Sequence, residues 1–205
     1  MKKALIFMMF VLILGGCQAN EELHGPTGDI IADEDSVVVT VNGEEIYQSQ
    51  VSQVISQAQM QGEQIESSIV IERLVNMEIL LQEANRLNIS VSVEEAEENL
   101  RELLAMEGAM TLEDIKGQMG PMYQVLLDEQ KQQLKVQKLA KEKGNVTVTE
   151  EEVKQFYEKN TEIMGGRTFE EARAEIRMVL EQQKMESVLV DVLTRLRERA
   201  DISYN

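Results

Sequence analysis

Apolar residues recur at helical spacing over most of this chain, and this periodicity constrains the fold more than any other feature. In the stretch SSIVIERLVNMEILLQEANRLNI, apolar residues follow one another at alternating intervals of four and three: Val70, Leu74, Met77, Leu81 and Ala84. This spacing places all five on one face of a helix, and neighbouring apolar residues widen the face. We therefore predict that this helix belongs to the core of a mainly helical protein.

Four short patterns predict where other helices begin. They pair a Ser or Thr with an acidic residue three positions later: Ser92 with Glu95, Thr111 with Asp114, Thr149 with Glu152, and Thr168 with Glu171. In such a capping box each side chain hydrogen-bonds the backbone N–H of the other residue. Carboxylates are also favoured at the positive end of a helix, so the acidic clusters have a structural explanation without a metal ion.

The two ends of the folded part are predicted to meet. Residues 37–41 are β-branched and predict a strand, Asn42-Gly43 predicts a tight turn, and a helix is expected over 48–61. Because a lone strand leaves its backbone groups unpaired, the alternating residues 201–204 are its expected partner. The predicted fold class is mainly α, with a small two- or three-stranded sheet and a long C-terminal helix over 168–200.

Size and charge exclude some functions. The chain has 205 residues, of which 43% are hydrophobic, which suits one medium domain, or one domain plus an arm, with a real core. Its net charge is −17. Nucleic acid is therefore not an expected partner, because binding it requires a basic surface.

The first 35 residues are predicted to lie outside the fold. Residues 1–16 have the charged start and short apolar run of a secretory signal. Leu14-Gly15-Gly16-Cys17 resembles the lipobox of bacterial lipoproteins, which implies a lipid on the Cys17 sulfur and an extracytoplasmic, membrane-anchored protein. The alternative is an ordinary signal with an incidental cysteine. Residues 17–35 resemble a tether, which cannot hold the geometry of a metal or catalytic site, so neither role is expected for His24.

The order of elements resembles the chaperone portion of SurA- and PrsA-type proteins, the secreted relatives of trigger factor. The residues that carry the resemblance are VVVTVNGEEIYQSQV, VIERLVNMEILLQEANRLNISVSVEEAEENL, MTLEDIKGQMG, NVTVTEEEVKQFYEKN and FEEARAEIRMVLEQQKMESVLVDVLTRLRERADISY. The resemblance implies that residues 36–205 form a SurA N-terminal-like chaperone domain, with the helix over 168–200 packing back on it.

The resemblance also indicates what this chain lacks. In those families a parvulin-type prolyl isomerase domain normally separates the last two helices, whereas here only seven residues, 161–167, lie between them. Even a small domain needs about 50 residues. No ordered segment carries a nucleophile with its base or a set of metal ligands, so neither an enzyme nor a cofactor is expected.

We expect an ATP-independent holdase that binds unfolded or newly secreted polypeptides at the membrane to which Cys17 attaches it. The predicted client-binding residues, chosen because methionine adapts to varied shapes, are Met106, Met110, Met119, Met122 and Tyr123. Ordinary core packing is the alternative for each. A dedicated adaptor or assembly lipoprotein with one partner is the alternative function, and an unrecognised isomerase is a third. Asn88 and Asn145 begin glycosylation sequons, which matter only in an organism that glycosylates secreted proteins.

Overall fold

The structure, a computed structural model, describes residues 36–108 and 110–205, but not the side chains of residues 106 and 107. The predicted signal sequence, Cys17, the tether and His24 lie outside the described residues. The rest is mainly helical with one small sheet, which confirms the predicted fold class. Within the described residues, no helix is long and apolar enough to cross a bilayer.

The elements follow the predicted order. The strands and helices are β1 (Val37–Val41), β2 (Glu44–Tyr47), α1 (Gln48–Met60), α2 (Ser67–Arg86), α3 (Val93–Glu107), α4 (Leu112–Met119), α5 (Met122–Lys143), α6 (Glu150–Lys159), α7 (Phe169–Arg197) and β3 (Ile202–Tyr204). A short 3-10 helix, Thr161–Met164, lies between α6 and α7. Helices α1 and α7 end within a few residues of the predicted boundaries.

The chain divides into two compact units. The first contains the described residues up to Gln82 together with residues 195–205, and the second contains residues 83–194. Helices α2 and α7 contribute residues to both. The predicted boundaries of signal, tether and folded body stay predictions.

In the first unit a three-stranded antiparallel sheet has the order β2-β1-β3. The turn between β1 and β2 is Asn42-Gly43, with φ of 52° and 91°. Positive φ at both central residues is the geometry that Asn-Gly favours in a two-residue hairpin turn. Val39 and Val41 are fully buried in the central strand, so the alternation expected of a strand with one packed face is present.

The C-terminus returns to the beginning of the fold, as predicted. Val39, Thr40 and Val41 are paired with residues 202–204 of β3. The Asn42 N–H donates to the Asp201 carbonyl at 2.8 Å, and the Asn205 N–H donates to the Val38 carbonyl at 3.0 Å. Strand β1 therefore has hydrogen-bonded neighbours on both sides.

Side chains of the C-terminal residues also bind α2 within this unit. Arg197 forms an ion pair with Glu72 at 2.9 Å, and the Tyr204 hydroxyl donates to the same carboxylate at 2.5 Å. Arg197 also donates to the amide oxygen of Asn76. These bonds fix the end of α7 and β3 to a helix more than a hundred residues earlier in sequence.

The predicted capping boxes are present in the second unit. At Ser92, Thr111 and Thr149 both reciprocal hydrogen bonds form. At Thr168 the Glu171 carboxylate accepts from the Thr168 N–H at 2.7 Å and from its hydroxyl at 2.8 Å. Helices α3, α4, α6 and α7 therefore begin at the predicted residues.

One carboxylate is buried in this unit. Glu83 is only 7% exposed, and it accepts from Arg86 at 2.7 Å and Lys143 at 2.5 Å. The hydrogen bond from Arg86 lowers the pKa of Glu83 to about 2, with a further lowering by Lys143 and an opposing effect of burial. The ion pairs join the end of α2 to the end of α5.

Candidate functional site

The predicted client-binding residues lie around α3, α4 and α5 of the second unit. Thr111 starts α4, and Gly120-Pro121 ends it and begins α5. Gly120 has φ of 52° and ψ of −124°, a conformation that suits a residue without a side chain. The three helices are thereby folded closely against one another.

A compact apolar cluster lies beneath this region. Its buried members are Ala96, Leu100, Leu104, Leu112 and Leu127, and the half-buried side chains packed on it include Ile115, Tyr123 and Leu126. Each helix contributes at least one buried residue, so the cluster holds the three together by apolar burial. Of the predicted client-binding residues, Tyr123 packs on this cluster.

Tyr123 is held by a polar contact as well as by packing. Its hydroxyl lies 3.1 Å from the Glu97 carboxylate, and the Lys116 Nζ lies 5.2 Å from the centre of its ring. Lys116 and Glu97 are 2.8 Å apart. The Lys116 hydrogen bond lowers the pKa of Glu97, and burial raises the pKa of Tyr123. One side chain from each of α3, α4 and α5 thus meets at a single point.

The structure places the five predicted residues differently from one another. Met122 is 56% exposed, whereas Met110, Met119 and Tyr123 are half-buried. The Met106 side chain is outside the described part of the chain. Their role in client binding stays a prediction.

Two further residues on α5 share a face with Met122. Val125 is 39% exposed, and Glu129 is half-buried on the next turn. We call Met122, Val125 and Glu129 the open face of α5. The intervals of three and four residues that place them together are visible in the sequence, but the partial burial that distinguishes Glu129 is not.

Glu129 is unusual among the carboxylates near the site. Among residues 36–108 and 110–205 its carboxylate forms no hydrogen bond or ion pair. Burial raises the pKa of Glu129, because a partly desolvated carboxylate favours its neutral form. The open face of α5 therefore combines apolar side chains with an uncompensated acid.

The connection between α6 and α7 is a compact turn. Gly165 and Gly166 have φ of 61° and 81°, and Met164 is buried in a cluster with Val153 and Ile176. The Tyr157 hydroxyl donates to the Arg167 carbonyl at 2.7 Å. The residues between Asn160 and Thr168 thus connect α6 to α7 as a compact, partly buried turn.

Two features of the described residues bear on catalysis: possible metal ligands and surface depressions. They contain no group of three or more His, Cys, Asp or Glu side chains arranged to hold a metal ion. A depression lined by Gln59, Gly62, Glu63, Gln64 and Ile65 lies in the loop between α1 and α2. Its lining has no nucleophile beside a base, so its geometry does not indicate catalysis.

The fold is that of SurA-like chaperones. A solved chain from a study of the virulence factor PEB4 and the periplasmic protein Cj1289 of Campylobacter jejuni, described as two structurally related SurA-like chaperones, superposes with a TM-score of 0.54. The two sequences are 13% identical, and the similarity covers 83% of this chain and 99% of that one. No family model and no curated sequence matches this chain.

This similarity confirms the SurA-like fold that the sequence resemblance implied. At 13% identity it establishes the fold alone. The lipoprotein form and the absence of an isomerase activity stay predictions.

Proposed function

We propose that this chain is an extracytoplasmic chaperone that holds unfolded or newly secreted polypeptides without ATP. The observation that carries the proposal is the SurA-like fold, which extends over almost the whole of a solved chain described as a chaperone. Fold alone does not define a function, and a chaperone also needs a suitable client-binding surface. The open face of α5 is the surface that we propose.

A holdase needs apolar side chains that water reaches and that adapt to many sequences. Met122 and Val125 are exposed side by side on α5, and Met110 and Met119 are half-buried near it in sequence. Methionine is flexible and polarizable, so it packs against clients of different shape. A rim of charged side chains keeps such a surface soluble between clients.

Suppression of client aggregation tests this proposal. The purified chain at several-fold excess should reduce light scattering from a model client unfolded by disulfide reduction, with no ATP present. Met122→Ser should weaken this effect, because it removes an exposed apolar side chain from the open face. Met60→Ser is the matched control, since Met60 is also highly exposed but lies at the end of α1. No suppression by the unaltered chain would refute the proposal.

The proposed location is the outer side of a membrane, with the lipid on Cys17 as anchor and residues 18–35 as tether. Two or more acyl chains hold a protein durably on a bilayer, whereas one does so only weakly. Cys17→Ala should therefore release the chain from the membrane fraction and abolish incorporation of a labelled fatty acid. A variant that stays lipidated and membrane-bound would contradict this assignment.

We propose further that the chain has no prolyl isomerase activity, since residues 161–168 form only the turn between α6 and α7. A proline peptide should isomerise in its presence at the rate observed in buffer. A faster rate would show a site that neither sequence nor geometry indicates.

A dedicated adaptor with one partner is the second candidate function. The observation that favours it is the fixed contact of Tyr123 with Glu97 and Lys116, which gives part of the surface a defined shape. Affinity capture from cells distinguishes the two: one stoichiometric partner supports the adaptor, and many substoichiometric partners support the holdase.

A further inference from the structure

The open face of α5 continues into a face that is buried. Val136 and Ala140 follow Met122, Val125 and Glu129 at helical intervals, and both are almost completely buried. The same side of one helix is thus covered in its C-terminal half and uncovered in its N-terminal half. The apolar stripe of a helix normally packs against a partner. The uncovered half of this face is therefore a candidate surface for a bound client.

The uncovered part is small. Glu129 follows Met122 by seven positions, which at 1.5 Å per residue is roughly 10 Å. An extended peptide rises about 3.3 Å per residue, so roughly three client residues span the distance. A bound client can therefore place one side chain against Met122 and the side chain three positions away against Glu129.

The charge around this face is strongly negative. Residues 93–134 contain ten acidic and three basic side chains. Each of the three bases, Arg101, Lys116 and Lys131, is already paired with a carboxylate: Glu98, Glu97 and Asp128 respectively. Within the described part of this segment no cation is left over for Glu129.

Several of the other carboxylates of this segment have no ion-pair partner among the described residues. Glu94, Glu102 and Glu113 form no ion pair within the described residues, and neither does Glu129. Of these four, Glu129 alone is half-buried, and partial burial strengthens its interaction with any cation that reaches it. An opposite charge brought close would also reverse the upward shift of its pKa.

We propose that the open face of α5 selects client segments in which a Lys or Arg lies about three residues from a large apolar side chain. The inference rests on the proposed holdase function and names the class of segment held. The apolar side chain packs against Met122 and Val125, and the client cation pairs with Glu129. The surrounding acidic side chains draw basic segments toward the surface and repel acidic ones.

Three fluorescent peptides that differ at one position test this proposal against the full chain. Each has the same large apolar residue, with Lys, Gln or Glu three positions away, and binding is measured by fluorescence anisotropy at low salt. We expect the Lys peptide to bind about tenfold more tightly than the Glu peptide, with the Gln peptide between them. Added salt should reduce the difference, because part of it is long-range.

Two isosteric variants assign the preference to one residue. Glu129→Gln should reduce the ratio between Lys and Glu peptides by about fivefold while leaving the Gln peptide unchanged. Glu181→Gln is the matched control: Glu181 is also half-buried and lacks an ion pair among the described residues, but lies on α7. It should leave the ratio unaltered. Circular dichroism of both variants confirms that they are folded.

The possible failures are distinguishable. If all three peptides bind equally, or if the preference survives Glu129→Gln, the inference is wrong although client binding stands. If no peptide binds and aggregation of the reduced client is not suppressed, the proposed function itself is wrong.

Discussion

Glu83 is an almost fully buried carboxylate that forms ion pairs with Arg86 and Lys143. Its pKa of about 2 lies below the value near 4.5 of an unfolded glutamate. The folded state therefore gains stability from the ionised carboxylate above pH 4.5, and this gain is lost as the pH falls toward 2.

Glu83→Gln should lower the free energy of unfolding at pH 7 by about 2 kcal/mol, because it leaves two cations near a neutral amide. The difference from the unaltered chain should shrink between pH 4.5 and 2. Urea denaturation at a series of pH values measures both effects. Glu158→Gln is the control, since Glu158 is exposed and forms only a 4.0 Å ion pair. An equal effect of the two substitutions would show that the buried ion pairs of Glu83 do not stabilise the fold.

Glu129 should behave in the opposite way. Its pKa is raised by burial, so the ionised carboxylate opposes folding at neutral pH, and the opposition disappears as the pH falls and the carboxyl takes up a proton. Glu129→Gln should therefore raise the free energy of unfolding at pH 7 by about 0.5–1 kcal/mol. The gain should vanish under acidic conditions. A variant that is less stable at pH 7 would show that Glu129 has a stabilising partner.

At the scale of single elements, helix starts were the most predictable feature. Ser and Thr caps work through bonds between residues three positions apart, so a single sequence contains all the participants. The 3-10 helix at residues 161–164 was not predicted, because its four residues show no periodicity. Met164 is buried there against Val153 of α6 and Ile176 of α7. Both residues are distant from it in sequence, so the local pattern around Met164 does not show that it will be buried.

The cap of α6 offers a test at this scale. The Thr149 hydroxyl accepts from the Glu152 N–H, and the Glu152 carboxylate also forms an ion pair with Lys184 of α7 at 2.7 Å. Thr149→Ala should lower the free energy of unfolding by about 1 kcal/mol, measured by urea denaturation. Thr194→Ala is the control, since the Thr194 hydroxyl only donates to the Val190 carbonyl within a formed helix. The cap is unimportant if the two variants are equally stable.

The candidate site was only partly predictable. Methionine content favours Met122, which is exposed, and equally Met110 and Met119, which are half-buried. Composition does not tell which side of a helix is covered, because that depends on neighbours brought together by the whole fold. Glu129 was missed for the same reason, since a glutamate at a half-buried position looks in the sequence like any solvated one.

At the scale of the whole molecule, the pairing of the two ends was predictable from one argument. Residues 37–41 needed a partner, and residues 201–204 had a strand-like pattern with nothing else to pair with. The division into two compact units was not predicted, because apolar periodicity runs through α2 and α7 without an interruption at Gln82 or Arg195.

Removal of residues 201–205 tests the closure of the sheet. The truncation exposes the backbone of β1 and removes the cross-strand bonds, which should lower the free energy of unfolding by about 2–4 kcal/mol. The exposed edge should also increase self-association, which light scattering detects. Ser203→Ala, which keeps the backbone of β3, is the control. A truncated chain with an unchanged melting temperature would contradict the role of β3.

The most direct test of the central claim is where an unfolded client touches this chain. A photo-crosslinking amino acid in place of Val125 should form adducts with a reduced, unfolded client but not with the same client in its native state. The same group in place of the exposed Lys154 on α6 should form few adducts with either. Equal crosslinking at the two positions, or crosslinking only at position 154, would contradict a client-binding surface on the open face of α5.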